Sequence, residues 1–180
     1  MGTTVSLVTV AQFCALPEFP DKLLELRDGE VVELTRPKKG HWNIQRKLLR
    51  LLASLDEIGV FGTELAFRPT AEHNLWAADL AFVTRERYWA TSDNDNLHGS
   101  PDLVIEVESP SNTAAEFEAR EAKCLATGCR EFWVVYPEMR WVHVATQDGR
   151  VRRYYPGETI ELTIAPGVKV AVDEIFRSDR

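Results

Sequence analysis

Hydrophobic and polar positions change period several times along this chain. From His41 they recur at threes and fours: His41, Ile44, Leu48, Leu51, Leu55 and Ile58 share one face, which predicts an amphipathic helix closed by Gly59. A short helix is expected over residues 8–16, ending near Pro17. "LLELRDGEVVELT" places Asp28-Gly29 between two extended runs, a hairpin signal. "VFGTELAFRP" and "ADLAFVT" alternate as strands, and a polar loop is expected over about 85–100. Thr113 followed by Glu116 forms a capping box for a helix of about 113–127, closed by Gly128. "EFWVVY", "WVHVAT", "VRRYY" and "IELTI" read as strands, Asp148-Gly149 as a second hairpin turn, and "VDEIF" as a helical turn. This mixed order predicts an α/β (α+β) domain spanning 1–180, with a central mixed sheet between helices and additional hairpins.

The segment "PDLVIEVESPS" departs from a simple core strand. Side chains alternate across a strand, so Leu103, Ile105 and Val107 point one way, and Asp102, Val104, Glu106 and Glu108 the other. In "ADLAFVT", Ala78, Leu80 and Phe82 are expected to share a face, with Asp79 opposite beside Ala81 and Val83. If the two strands are neighbours, Asp79 and Glu106 converge. Converging carboxylates repel one another unless a cation, a basic partner or water compensates, and their oxygens suit Mg²⁺ or Mn²⁺. The same alternation also fits an edge strand whose acids face solvent. Asp102 precedes Glu106 by four residues on one strand, about 13 Å at ~3.3 Å per residue, too far for both to hold one ion. It is expected instead to cap the strand or bind an outer-shell water.

Composition narrows the class. With 180 residues and 44% hydrophobic content, the chain can build a core. No run reaches the ~20 apolar residues of a membrane helix, and "MGTTVSLVTVAQF" lacks the basic and apolar regions of a secretory signal. Cys14, Cys124 and Cys129 are odd in number and scattered, which points to a reducing cytoplasm and no disulfide framework. The net charge of -7 argues against a protein that coats DNA with its whole surface. It leaves room for a local basic face: Thr35 to Leu55 holds Arg36, Lys38, Lys39, Arg46, Lys47 and Arg50 without an acid, suited either to phosphates or to solvent. The five tryptophans, Trp42 and Trp133 among them, are read as core and interface residues rather than stacking platforms.

"ELRDGE", His41, "ADLAFV", "PDLVIEVESPS", the following helix with Lys123, and "GCREFWVVY" occur in an order that resembles a large bacterial family of putative restriction endonucleases, long catalogued as a domain of unknown function. That family is a branch of the PD-(D/E)XK nuclease superfamily. The resemblance spans most of the chain and implies a restriction-endonuclease-like fold, a homodimer, and Mg²⁺-dependent (or Mn²⁺-dependent) hydrolysis of DNA by metal-activated water. By position, Asp79 and Glu106 match the metal acids, and the Val107 carbonyl is a further ligand. Lys123 matches the catalytic lysine moved into the next helix, Glu25 the early acid, and His41 a residue at metal-bound water or phosphate. Asp102 and Glu108 are possible additional acids; Lys38, Lys39, Arg46, Lys47 and Arg50 are candidate DNA contacts. The chain departs from the pattern with Ala78 for a proline, Glu108 at the motif-lysine position, and Tyr136 for an aspartate. Two other functions use the same residues: a nuclease-fold DNA-binding or assembly module without cleavage, and a metal-dependent phosphoesterase acting on a small substrate.

Overall fold

The computed structural model describes residues 6–17, 19–110 and 112–178, so Ser111 of the Ser-Pro-Ser turn and the first five residues of the N-terminal reading lie outside the described residues. Helix α1 (Val10–Cys14) is opened by a capping box in which Thr9 and Gln12 satisfy each other's backbone amides. The Asp28-Gly29 turn joins β1 (Leu23–Arg27) to β2 (Glu30–Leu34) as an antiparallel hairpin, with both turn residues at positive φ. Helix α2 (Lys39–Leu51) is shorter than its apolar period suggests. The chain tightens to a 3₁₀ turn over Ala53–Glu57, whose period of three carries both Leu52 and Leu55 into the core; Ile58, past the end of that turn, is exposed.

Strand β3 (Gly59–Gly62) runs antiparallel to β6 (Leu80–Thr84), and a side chain on Gly59 would lie 2.3 Å from the Val83 carbonyl. The expected single strand 60–69 is broken between Gly62 and β4 (Leu65–Arg68), with Glu64 at φ 58. Strand β5 (Trp76–Ala78) pairs with β4, and helix α3 (Arg85–Ala90) and β7 (Leu97–His98) occupy the expected loop. Helix α3 buries no residue and so carries no apolar period. It is held by Arg85 on the Asp56 and Glu57 carbonyls and by Arg87 on Asp102 and the Ser100 carbonyl.

Strand β8 (Leu103–Val107) is central, not an edge. It lies between β6 and β9 (Glu131–Tyr136) in a six-stranded sheet that continues through β10 (Trp141–Thr146) to β11 (Val151–Tyr154), in the order β11-β10-β9-β8-β6-β3. The β8–β9 pair is parallel, joined by α4 (Ala114–Ala126); the other pairs are antiparallel. A hairpin of β12 (Thr159–Glu161) and β13 (Lys169–Ala171) and the helical turn α5 (Val172–Phe176) complete the chain. Among the described residues no helix is long and apolar enough to cross a membrane.

Two apolar clusters sit on the two faces of the sheet. Leu80, Phe82, Leu103, Ile105 and Val107 pack with Ile44 and Leu48 of α2. Ala81, Val83 and Val104 pack with Phe117 and Cys124 of α4 and with Phe67 and Trp76 of the small sheet. Ala78 joins the second cluster, not Leu80 and Phe82, because Asp79 belongs to neither flanking strand and the alternation restarts after it.

Asp102 lies at the far end of β8 from Glu106 and serves the fold. Its buried carboxylate accepts the Thr84 amide at 3.0 Å and Arg87 Nη1 at 2.9 Å, fastening α3 to the sheet. Asp102→Ala should therefore cost about 1–3 kcal/mol in urea unfolding by orphaning two donors, while leaving divalent-ion binding within about twofold of the unaltered protein. A loss of ion binding without a loss of stability would contradict this assignment.

Candidate active site

Continuing the β6–β8 register one step beyond Leu80–Ile105 sets Asp79 opposite Glu106. There the backbone ladder ends. The Val107 amide, lacking a strand carbonyl on that side, donates instead to Asp79 Oδ2 at 2.7 Å. Helix α2 supplies two more partners: His41 Nε2 lies 3.0 Å from Oδ2, and Gln45 Nε2 donates to Oδ1 at 3.1 Å. His41 and Gln45 are one helical turn apart, so both reach the same carboxylate. His41 therefore faces Asp79 and is not an isolated core histidine; its Nδ1 is buried without a partner among the described residues.

Glu25 and Glu106 meet at Arg120. The β1–β2 hairpin bonds to the small sheet through Leu26 and Leu75, which brings Glu25 against the Ala77 amide at 2.8 Å. Arg120 reaches across from α4. Its Nε donates to Glu106 Oε1 at 2.8 Å, its two terminal nitrogens donate to the two Glu25 oxygens at 3.1 and 3.2 Å, and Nη2 also donates to the Ala77 carbonyl at 2.7 Å. The guanidinium lies 4.8 Å from the Trp76 ring centroid. Only a planar fork of donors can serve all of these acceptors; an ammonium cannot. Arg27 adds a second cation on Glu25 at 2.8 Å.

Burial and charge together shift the titration of this cluster. Burial pushes the Glu106 carboxyl up to about 8, and the charges of Asp79 and Glu25 push the same way against the pull of Arg120. Burial also opposes the Glu25 carboxylate, yet Arg120, the Ala77 amide and Arg27 hold it below the usual range. Burial disfavours the His41 imidazolium, but the bond to Asp79 and its charge outweigh that, and the histidine titrates above its ordinary value. Glu64 is raised by burial and by Asp79.

The residues foreseen from sequence separate into two groups. Asp79, Glu106, Glu25 and His41 come together, and Val107 joins them through its backbone; its carbonyl leaves the strand on the same side as the amide bound to Asp79. Lys123 does not share Glu106. Its ammonium pairs with Asp28 in the hairpin turn and lies 5.5 Å from the Trp76 ring centroid, at the rim. Glu108 lies past the end of β8; burial and the charge of Glu138 raise its carboxyl, and it takes no part in the cluster. Sequence reasoning missed Gln45 and, at the centre of the site, Arg120. The signal was present: Phe117 and Cys124 are the buried positions of α4, and Arg120 stands between them on the same stripe, whereas Lys123 flanks it.

A family model described as "Uma2: Putative restriction endonuclease" matches residues 10–173, nearly the whole chain. The chain belongs to the Uma2 family. Among solved structures, the fold is similar to that of a putative nuclease of the DUF820 group from Anabaena variabilis ATCC 29413, with a TM-score of 0.79 and 19% identity over 94% of this chain and 97% of that one. No protein with a curated description matches.

The donor set of this Uma2 protein is suited to a hard cation. Among the described residues no three His, Cys, Asp or Glu side chains form a ready-made cage. Mg²⁺ needs only one or two carboxylates and keeps several waters. Asp79 and Glu106 offer two such carboxylates across adjacent strands, and burial is the chief cause of the raised Glu106 carboxyl.

The titration of Glu106 is testable without metal. Between about pH 4.5 and pH 8 the folded chain keeps a proton that the unfolded chain releases, so this group's contribution to stability is present below about 4.5 and is lost as pH rises through about 8. In Glu106→Gln, urea unfolding in chelator should lose less stability between about pH 5.5 and pH 8.5 than the unaltered chain does. An identical slope would contradict the protonated carboxyl.

Proposed function

We propose that this Uma2 protein is a Mg²⁺-dependent endonuclease that hydrolyses DNA phosphodiester bonds. The observation that carries the reading is the placement of Asp79 and Glu106 across adjacent strands at the step where the ladder stops, with a buried cation beside them. Asp79, Glu106 and the Val107 carbonyl would hold the ion. When bound, Mg²⁺ supplies Lewis acidity toward a phosphate oxygen and a water of lowered pKa.

The chain's own groups supply the rest. His41 and Gln45 fix the orientation of the Asp79 carboxylate from one side, and the Val107 amide does so from the strand. Arg120 bridges Glu106 and Glu25 and keeps positive charge where a phosphate under attack gathers negative charge. Lys123 lies at the rim with Asp28, placed to meet substrate rather than to deprotonate water at Glu106. Lys38, Lys39, Arg46, Lys47 and Arg50 on and before α2 offer cations to the phosphate backbone.

One observation favours a second reading. Arg120 satisfies one oxygen of Glu106 and both of Glu25, as it would in a nuclease-fold module that binds nucleic acid without cutting it. Supercoiled plasmid distinguishes the two. The nuclease reading expects nicking in Mg²⁺ or Mn²⁺ that falls about a hundredfold or more in Asp79→Ala and Glu106→Ala, while Lys123→Ala stays within about tenfold. Full activity in Glu106→Ala would contradict the assigned site, and binding without nicking in either metal would favour the module.

A further inference from the structure

We infer that Trp42 and Arg46 form a stacking platform for an unpaired base beside Asp79, so that the preferred substrate contains a single-stranded segment. The inference rests on the nucleic-acid reading above and narrows its substrate class. Trp42 is 55% exposed although it is one of only five tryptophans. Arg46 lies one turn along α2 with its guanidinium carbon 5.4 Å from the Trp42 ring centroid.

The position of this pair on the helix gives it meaning. At about 100° per residue, Trp42 is turned only about 60° from Gln45 and adjoins His41 in the chain, and both of those residues bond Asp79. Trp42 therefore stands on the flank of α2 nearest the carboxylates. Beyond Arg46 the opposite flank of α2 borders a surface groove whose lining includes Lys39, Arg46, Lys47, Arg140 and Arg177 but no acid. Arg177 also pairs with Glu174 just outside it. In a chain of net charge -7 this is a concentrated cationic path, complementary to a polyanion. Arg46, which lines the groove, links it to the exposed Trp42 ring, whose α2 neighbours His41 and Gln45 bond Asp79.

A phosphate backbone alone has no use for that ring. The bases of an intact duplex are already stacked on one another, whereas an unpaired base gains a π-face partner and, from Arg46, an additional cation. A cationic groove leading to an aromatic and arginine pair is the combination that binds single strands with little dependence on sequence.

Binding can be read without turnover, by fluorescence anisotropy of an end-labelled oligonucleotide in chelator, as a single strand and as a blunt duplex of the same sequence. Trp42→Ala should weaken single-strand binding about tenfold or more and change duplex binding less than about twofold; Trp42→Phe should retain most of the affinity. Thermal melting of both variants checks that the exposed position leaves the fold intact. Equal loss on both oligonucleotides, no loss on the single strand, or no binding of either by the unaltered chain would overturn the platform. Trp42-dependent binding in a protein that never nicks DNA would sink the nuclease reading alone. Metal-dependent cleavage that prefers duplex and ignores Trp42 would sink only the platform.

Discussion

The bridge from Arg120 to Glu106 and Glu25 is the interaction on which the rest of the site depends. Three segments distant in sequence, the β1–β2 hairpin, β8 and α4, each deliver one member of it. Two buried carboxylates at this spot would repel each other and Asp79, and removing the guanidinium would leave charge without a partner in a low-dielectric interior, typically costing about 3–5 kcal/mol. The capping box at Thr113 and the parallel β8–α4–β9 crossover fix where α4 starts and how it lies, and so where Arg120 points. The same bridge holds the small sheet against the main one, since Arg120 also takes the Ala77 carbonyl and Glu25 the Ala77 amide.

Asp79 performs the complementary task. It sits where the chain leaves the three-stranded sheet at Ala78 and enters the six-stranded sheet at Leu80. Its carboxylate replaces the missing strand partner of Val107 and collects His41 and Gln45 from α2. One side chain thus joins α2 to the point where the sheet opens. An opening in a β-ladder exposes backbone polar groups that need partners, and it is also the place where a substrate oxygen can approach them.

Much of this was legible in the chain. The alternation of "PDLVIEVE" assigned the apolar and acidic faces of β8, and both faces proved buried. The capping box and the Asp28-Gly29 hairpin are local signals that tertiary contacts did not override. What was missed depends on long-range geometry. Helix α3 has no apolar stripe because ion pairs and carbonyl contacts hold it. The shift in alternation at Asp79 follows from a change of sheet, which no local period reveals. Lys123 attracted attention as the lysine of its helix, yet the inward stripe of Phe117 and Cys124 pointed to Arg120. Asp102, the prominent Pro-Asp acid, turned out to anchor Arg87.

The most direct test of this account is a crystal structure with Mn²⁺ at about pH 8.5, where Glu106 ionises. One anomalous peak is expected, shared by Asp79 and Glu106 and absent in Glu106→Gln, with Arg120 still on Glu25. A peak held instead by Glu108 and Glu138, or one that persists unchanged in Glu106→Gln, would contradict it.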